Sequence, residues 1–144
     1  MTLQQDEITA CIIDDDSIFA YGFNKLVKIN GLFSQILHFN HGLEAMEYLS
    51  APINAARLPD VIFIDINMPV MNGWQFVQNF EEIKSQLGKK IALYIVSSSV
   101  DISDILKAKS NPVLRDYICK PINNTHLTQV FNALRSDRDG TVYN

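Results

Sequence analysis

The stretch ITACIIDDDSIF, residues 8–19, passes from a short apolar run through three consecutive aspartates into a helical pattern. β-Branched residues dominate the apolar run, which is typical of a buried strand. After the aspartates, apolar residues recur at helical spacing up to Asn30. The stretch therefore predicts a strand that is followed directly by a helix, the unit from which parallel α/β sheets are built.

The same alternation continues to the end of the chain. Strands are predicted at 8–14, 33–39, 60–65, 91–97 and 116–120, and helices at 17–30, 41–50, 73–88, 100–110 and 123–136. Gly31 and Gly88 suit helix ends, and Asn123–Thr125 suits a helix N-cap. Strands 1, 3, 4 and 5 are almost continuously apolar, as expected when helices cover both faces of a sheet. The pattern predicts an α/β fold with a five-stranded parallel sheet, doubly wound as (βα)5.

Length and composition exclude several classes of protein. The chain has 144 residues, which suits one domain, and its net charge of −4 with a pI near 5.2 argues against nucleic acid as a partner. The apolar runs are too short to span a bilayer, and the first residues do not form a signal peptide, so a cytoplasmic protein without a membrane partner is expected. Cys11 and Cys119 lie in apolar segments and are expected to be buried free thiols.

Polar residues cluster at the predicted carboxyl ends of the strands, where open α/β sheets bind their ligands. They are Asp14, Asp15 and Asp16 after strand 1, Asp65 after strand 3, Ser97, Ser98 and Ser99 after strand 4, and Lys120 after strand 5. Clustered carboxylates repel one another unless a cation lies between them, and Mg²⁺ (or Mn²⁺) prefers such oxygen ligands. A free carboxylate can also attack phosphorus while a lysine neutralises the phosphoryl oxygens. The cluster therefore indicates phosphoryl transfer.

These residues resemble the receiver domain of response regulators in two-component signalling. The resemblance rests on Asp14 and Asp15 after CII, on DINMPVMNG starting at Asp65, on Ser97 in YIVSSS, and on DYICKPI with Tyr117, Lys120 and Pro121. It covers residues 8–134 and implies a flavodoxin-like sheet with strand order 2-1-3-4-5, leaving an N-terminal tail at 1–7 and a flexible C-terminal tail at 135–144. Since little chain follows helix 5, a stand-alone receiver similar to chemotaxis response regulators is expected.

The resemblance implies a role for each residue of the cluster. Asp65 is the expected phosphoacceptor, receiving its phosphoryl group from a phosphohistidine of a sensor kinase or phosphotransfer protein. Asp14, Asp15, Asp65 and the backbone carbonyl of Asn67 are the expected Mg²⁺ ligands, whereas Asp16 is expected to start helix 1. Lys120 is expected to pair first with the acceptor carboxylate and then with a phosphoryl oxygen. Such a protein catalyses only its own phosphorylation and dephosphorylation.

Other residues are implied to control the switch. Ser97 and Tyr117 are the expected switch pair, which would couple Asp65 to the surface of helix 4, strand 5 and helix 5, although core packing explains Tyr117 equally well. The Lys120-Pro121 bond is expected to be cis. Asn67 and Ser99 are candidates for setting the lifetime of the phosphoryl group, and Gly73 suits an unusual backbone conformation. A downstream protein target and a monomer or weak dimer are expected.

Two other functions compete with this interpretation. Haloacid-dehalogenase-like phosphatases also follow a first strand with an Asp-x-Asp motif, which Asp14 and Asp16 match, but that assignment leaves DINMPVMNG unexplained. A degenerate receiver that binds partners without phosphorylation is disfavoured because every position needed for the chemistry is filled. The three histidines are scattered, so they are interpreted as structural or surface residues.

Overall fold

The computed structural model describes residues 7–138, in which five parallel strands form one sheet of order β2-β1-β3-β4-β5. The strands are β1 (Thr9–Ile13), β2 (Gln35–Phe39), β3 (Val61–Ile64), β4 (Ala92–Ser97) and β5 (Leu114–Cys119). At the carboxyl end of the sheet, Ile13 of β1 is in register with Phe39 of β2 and Ile64 of β3. The predicted parallel α/β fold and strand order are confirmed.

Five helices connect and follow the strands. They are α1 (Ser17–Asn30), α2 (Gly42–Ser50), α3 (Gly73–Ile83), α4 (Ile102–Lys109) and α5 (Asn124–Arg138), with short 3-10 helices at Pro52–Arg57 and Lys84–Gln86. Among the residues described, no helix combines the length and apolar character needed to cross a membrane.

The fifth helix ends at Arg138, two residues beyond its predicted end at 136. The C-terminal tail that is expected to begin at 135 is therefore helical up to 138. The last turn of the helix is held because Asp137 pairs with Arg115 of β5 and Arg138 pairs with Asp60. Of the two predicted tails, residues 1–6 and 139–144 lie outside the described part of the chain.

The core consists of two clusters, one on each face of the sheet. Successive side chains of a strand point to opposite faces. Ile62 and Ile64 of β3 accordingly pack in the cluster beneath α2, α3 and α4, whereas Val61 and Phe63 pack in the cluster beneath α1 and α5. The four residues of β3 are all buried, which explains their continuous apolar character.

Strand β5 is less buried than its predicted apolar character suggests, because it lies at the edge of the sheet. Its residues Arg115, Asp116 and Cys119 are exposed. Both cysteines are free thiols, as predicted, and Cys11 is buried, but the prediction of a buried Cys119 is wrong. Burial raises the pKa of the Cys11 thiol well above its ordinary value, so this group stays protonated.

Local capping accounts for most helix boundaries. The Asp16 carboxylate accepts the N–H groups of Ile18 at 3.0 Å and Phe19 at 3.2 Å, so Asp16 caps α1 as expected. Gly31 ends α1 with φ of 66° in the left-handed region. Gly88 has a φ of 69°, but it follows the second 3-10 helix, so α3 itself ends earlier than predicted.

Asn123 caps α5, as the sequence predicts. Its side-chain oxygen accepts the N–H of His126 at 2.9 Å, and the Nδ1 atom of His126 accepts the N–H of Asn123 at 3.1 Å. This reciprocal pair satisfies two backbone donors and fixes where α5 begins.

Gly73 is required for space rather than for an unusual backbone conformation, which corrects the expectation from sequence. A Cβ atom at this position would lie 2.4 Å from the carbonyl oxygen of Asp65 and 2.8 Å from the Cα of Ile66. The N–H of Gly73 donates to the Ile66 carbonyl at 2.8 Å. The left-handed conformation in this loop falls on Val70, with φ of 71°. Gly73 thus lets α3 start directly against the end of β3.

Asp60 forms an ion-pair network at the amino end of the sheet that the sequence does not reveal. Its buried carboxylate accepts the Thr9 N–H at 2.8 Å and lies 3.0 Å from both Lys89 Nζ and Arg138 Nη2. Burial by itself would raise the pKa of Asp60, but the Thr9 N–H and the two cations outweigh it and lower that pKa below its ordinary value.

Substitution of Asp60 by Asn is expected to lower the free energy of unfolding at neutral pH by about 2 kcal/mol, because the charge-assisted contacts are lost. Since the folded-state pKa is lowered, the contribution of Asp60 is present above the unfolded-state pKa of about 3.9 and is lost as the pH falls toward the folded-state pKa. The difference between native and variant proteins should therefore shrink on acidification, as measured by urea unfolding at several pH values.

Asp116→Asn is the matched control for this prediction. Asp116 also pairs with a lysine, Lys109 at 3.2 Å, but both side chains are more than half exposed. Exposed pairs contribute less than about 1 kcal/mol, so the control should change stability little. An equal decrease in the free energy of unfolding in Asp60→Asn and Asp116→Asn would contradict a special role for Asp60.

Candidate functional site

The predicted site residues converge at the carboxyl end of the sheet. Asp14 follows β1, Asp65 follows β3, Ser97 is the last residue of β4, and Lys120 follows β5. Backbone hydrogen bonds continue the strand pairing to this end of the sheet. The Asp65 N–H donates to the Ile13 carbonyl at 3.0 Å, and the Lys120 N–H donates to the Ser97 carbonyl at 2.9 Å. The residues at the ends of these four strands therefore meet at the carboxyl end of the sheet.

Three carboxylates form the centre of the site. Asp14, Asp15 and Asp65 each offer an oxygen, and these oxygens all lie within 4.8 Å of one another. Asp14 and Asp65 are buried and Asp15 is exposed, so the cluster is open to solvent on one side. Asp16 does not belong to the cluster, because its carboxylate caps α1. The arrangement can hold a hard cation, which prefers carboxylate oxygens.

The buried Asp14 carboxylate is only partly satisfied by hydrogen bonds. Its Oδ1 atom accepts the Asp16 N–H at 2.8 Å. Its Oδ2 atom accepts no aligned hydrogen bond within residues 7–138 and has instead an ion pair with Lys120 Nζ at 2.7 Å. A buried oxygen without a hydrogen bond is costly, so this atom favours a positive charge nearby.

Lys120 lies closer to Asp14 than to the predicted acceptor. Its Nζ atom is 3.8 Å from Asp65 Oδ2, compared with 2.7 Å from Asp14 Oδ2. Lys120 is thus within ion-pair distance of the expected acceptor as well as of Asp14, and its later pairing with a phosphoryl oxygen stays a prediction. The Phe19 ring, a neighbour that the sequence did not reveal, lies 4.2 Å from the same Nζ atom. The Lys120-Pro121 peptide bond is cis, as predicted.

The environment of Asp65 disfavours its charged form. Burial raises the pKa of this carboxyl, and the negative charge of Asp14 raises it further. Lys120 and the N–H groups of Ile66 and Asn67 act in the opposite direction, but the pKa remains above its ordinary value. A cation in the cluster would offset both unfavourable contributions.

The predicted switch residues contact one another through Ser99. The buried Ser97 hydroxyl accepts the Ser99 N–H at 3.1 Å, and the Tyr117 hydroxyl donates to the Ser99 carbonyl at 2.7 Å. Tyr117 is buried and points inward. The Ser99 side chain donates to Asp104 of α4 at 3.0 Å. Asn67 is exposed beside Asp65, and the proposed influence of Asn67 and Ser99 on phosphoryl lifetime stays a prediction.

Comparison with known proteins is consistent with this geometry. The model of the response regulator receiver domain matches residues 10–132. The sensor histidine kinase CheAY of Helicobacter pylori is 33% identical over 118 residues, which are 82% of this chain and 14% of that protein. An uncharacterized response regulatory protein of Staphylococcus epidermidis is 25% identical, and the match covers 85% of this chain and 45% of that protein. The chain thus spans less than half of these two relatives.

Solved structures show the same fold. The two component response regulator from Cytophaga hutchinsonii has a TM-score of 0.82 and 29% identity, covering 89% of this chain and 97% of that one. The response regulator receiver protein from Dyadobacter fermentans has a TM-score of 0.74 and 29% identity, covering 88% and 96% of the two chains. Since the family match extends over nearly all of the described residues, the chain belongs to the response regulator receiver domains of two-component signalling.

Proposed function

We propose that this receiver domain accepts a phosphoryl group on Asp65 from a phosphohistidine of a sensor kinase or phosphotransfer protein. The observation that carries the proposal is the buried Asp65 carboxylate, which lies among Asp14, Asp15 and Lys120 at the carboxyl end of the sheet. The phosphorylated domain then signals to a downstream protein through the surface of α4, β5 and α5.

The acidic cluster fits Mg²⁺ or Mn²⁺. Asp14, Asp15 and Asp65 supply oxygens at short mutual distances, and Asp14 Oδ2 has no aligned hydrogen bond from residues 7–138, only the Lys120 ammonium group at 2.7 Å. The backbone carbonyl of Asn67 would add a further oxygen. When bound, the cation supplies positive charge that stabilises the oxygens of the transferred phosphoryl group.

Each remaining part of the phosphoryl transfer is assigned to a residue of the site. A carboxylate oxygen of Asp65 attacks phosphorus, and the bond between phosphorus and the donor imidazole nitrogen breaks. The N–H groups of Ile66 and Asn67 favour the ionised form of Asp65 and so oppose part of the rise in its pKa that burial and Asp14 cause. Lys120, which lies 3.8 Å from Asp65, would neutralise one phosphoryl oxygen, and the Ser97 hydroxyl at the end of β4 would donate a hydrogen bond to another.

Addition of Mg²⁺ is expected to raise the melting temperature by several degrees, because a ligand at 100 times its Kd contributes about 2.7 kcal/mol to stability. Asp15→Ala should abolish this response, since the exposed Asp15 is a ligand and has little structural role. The response should also shrink at acidic pH, because the raised pKa of Asp65 lets protons compete with the cation. Thermal unfolding with and without Mg²⁺ measures each effect.

Asp16→Asn is the control for the cation site. It removes the adjacent charge but keeps an oxygen that can cap α1, so the Mg²⁺ response should persist. A native protein that does not respond to Mg²⁺, or an Asp16→Asn variant that loses the response as fully as Asp15→Ala, would contradict the assignment.

Phosphorylation is expected to shift amide signals over residues 100–134, because Ser97 and Tyr117 contact the loop that leads into α4. Heteronuclear NMR before and after addition of a small phosphodonor measures the shifts, with Asp65→Asn as the unphosphorylated control. Identical spectra of the phosphorylated and unmodified protein would show that this surface does not carry the signal.

The phosphatase alternative gains no support from the site. An Asp-x-Asp mechanism would need Asp14 and Asp16 to act on one substrate, but the Asp16 carboxylate is engaged by two N–H groups of α1. The family match likewise favours a phosphoacceptor rather than a conventional enzyme.

A further inference from the structure

Ser99 connects the two switch residues to α4 through all three of its polar groups. Its N–H donates to Ser97 Oγ, and its carbonyl accepts the Tyr117 hydroxyl. Its own hydroxyl donates to Asp104 Oδ2 at 3.0 Å and accepts the Asp101 N–H at 3.3 Å. The position of the Ser99 carbonyl, on which the inward Tyr117 depends, is therefore tied to α4.

Asp104 extends this connection to α3. It lies in the first turn of α4, and its second oxygen, Oδ1, accepts the indole N–H of Trp74 at 3.3 Å. The ammonium group of Lys107 lies 4.5 Å from the centre of the Trp74 ring, which adds a second contact between α3 and α4. We refer to the contacts joining Ser99, Asp104 and Trp74 as the Asp104 bridge.

The Asp104 bridge supports the arrangement in which Tyr117 points inward. Asp104 is half-buried, and hydrogen bonds to a carboxylate are stronger than those between neutral groups. Without Asp104, the Ser99 side chain would lose its acceptor in α4 and the loop from β4 to α4 would lose its attachment to α3. The Ser99 carbonyl would then be a less well-placed partner for the Tyr117 hydroxyl.

We propose that the Asp104 bridge is a positioning device that holds Ser99, and through it Tyr117, inward before any phosphoryl group is added. The bridge itself follows from the contacts of the unphosphorylated chain, whereas its importance for signalling rests on the proposed function. Phosphorylation would accordingly change the position of Tyr117 little in the native chain. It would change that position much more in a variant without the bridge.

The test is Asp104→Ala, followed by NMR of ring-labelled tyrosine and of the single tryptophan. The Tyr117→Phe variant assigns the Tyr117 signal among the five tyrosines, and the only indole N–H signal belongs to Trp74. We expect the ratio of the inward to the outward population of Tyr117 to fall by about tenfold or more. This is the change in an equilibrium constant that the loss of a charge-assisted hydrogen bond usually causes. The Trp74 indole N–H should also exchange faster with solvent.

Two further variants separate the bridge from general effects of charge and packing. Asp101→Ser removes a carboxylate from the same end of α4 but keeps a side chain that can cap the helix, so Tyr117 should not move. Trp74→Phe keeps the aromatic ring but removes the N–H donor, so Tyr117 should move in the same direction as in Asp104→Ala and by less. An unchanged Tyr117 in Asp104→Ala, or an equal change in Asp101→Ser, would overturn the proposal.

Adding a phosphodonor with Mg²⁺ then distinguishes this proposal from the proposed function. Asp104→Ala should show a larger phosphorylation-dependent shift of the Tyr117 signal than the native chain, since only the variant starts with Tyr117 displaced. Intact mass reports phosphorylation separately. Absence of phosphoryl incorporation in both chains would refute the proposed function and leave the bridge supported by the spectra of the unphosphorylated chains. Equal shifts of the Tyr117 signal in the two phosphorylated chains would refute the bridge alone.

Discussion

Replacement of Asp65 by Asn is expected to eliminate phosphoryl incorporation from a small phosphodonor in the presence of Mg²⁺. The amide is neutral and cannot act as the attacking carboxylate, although it keeps the size of Asp and can still accept the Ile66 N–H seen at 2.9 Å. The fold should therefore survive while the chemistry is lost. Intact mass spectrometry of the native and variant chains measures the effect.

Asp116→Asn is a suitable control, because Asp116 is an exposed acid on β5 outside the acidic cluster. It should be phosphorylated as fully as the native chain. Labelling that persists in Asp65→Asn would move the acceptor elsewhere, and labelling located on Asp14 would revive the phosphatase alternative.

Asp65→Asn should also stabilise the fold in the absence of a metal ion. Burial and the charge of Asp14 raise the pKa of Asp65, so the folded state is penalised when this carboxyl is ionised. The contribution of Asp65 to the free energy of unfolding of the metal-free native chain should therefore decline as the pH rises from the ordinary aspartate range through the folded-state pKa. Asp65→Asn, which has no such charge, should not show this decline.

Gly73→Ala is expected to lower the free energy of unfolding by about 3 kcal/mol, at the upper end of the usual cost of overpacking. The added Cβ would lie 2.4 Å from the Asp65 carbonyl oxygen, and the backbone atoms that it meets cannot rotate away. The start of α3 or the end of β3 must then shift. Urea unfolding measures the loss.

Gly22→Ala provides a matched control for that prediction. Gly22 is exposed within α1, and a Cβ at that position meets nothing within 4 Å. The change should stabilise the protein by about 0.5–1 kcal/mol, because alanine favours the helix. Similar effects of the two substitutions would show that the close approach at Gly73 is not a constraint.

Gly73→Ala should also slow phosphorylation, because the clash falls on the backbone of Asp65 itself. Displacement of this residue would change its distance from Lys120 and from the other carboxylates. A variant that is destabilised yet phosphorylated at the native rate under folding conditions would separate the structural role of Gly73 from any effect on the site.

The fold and the composition of the site could be predicted because both depend on short sequence patterns. Apolar runs of strand length alternate with helical patterns, and parallel strands bring their carboxyl ends to one edge. Asp14, Asp65, Ser97 and Lys120 each follow or end such a run. Their approach to one another therefore follows from topology, without knowledge of any side-chain contact.

Contacts between side chains of distant elements could not be predicted in the same way. Asp60 and Arg138 are 78 positions apart, and Trp74 and Asp104 are 30 apart. The preference of Lys120 for Asp14 depends on which oxygens are already satisfied by hydrogen bonds. The exposure of Cys119 reflects the edge position of β5, and the requirement for glycine at position 73 reflects a backbone approach that no local pattern encodes.

The division of the core by the sheet has a consequence for any protein that recognises the surface of α4, β5 and α5. Tyr117 belongs to the cluster beneath α4, whereas the inner face of α5, with Leu127 and Val130, belongs to the cluster on the other side. Displacement of Tyr117, as expected in Asp104→Ala, would therefore change the packing beneath α4 but not the separate cluster beneath α5. A partner that contacts both helices would then meet an unchanged α5 and a displaced α4.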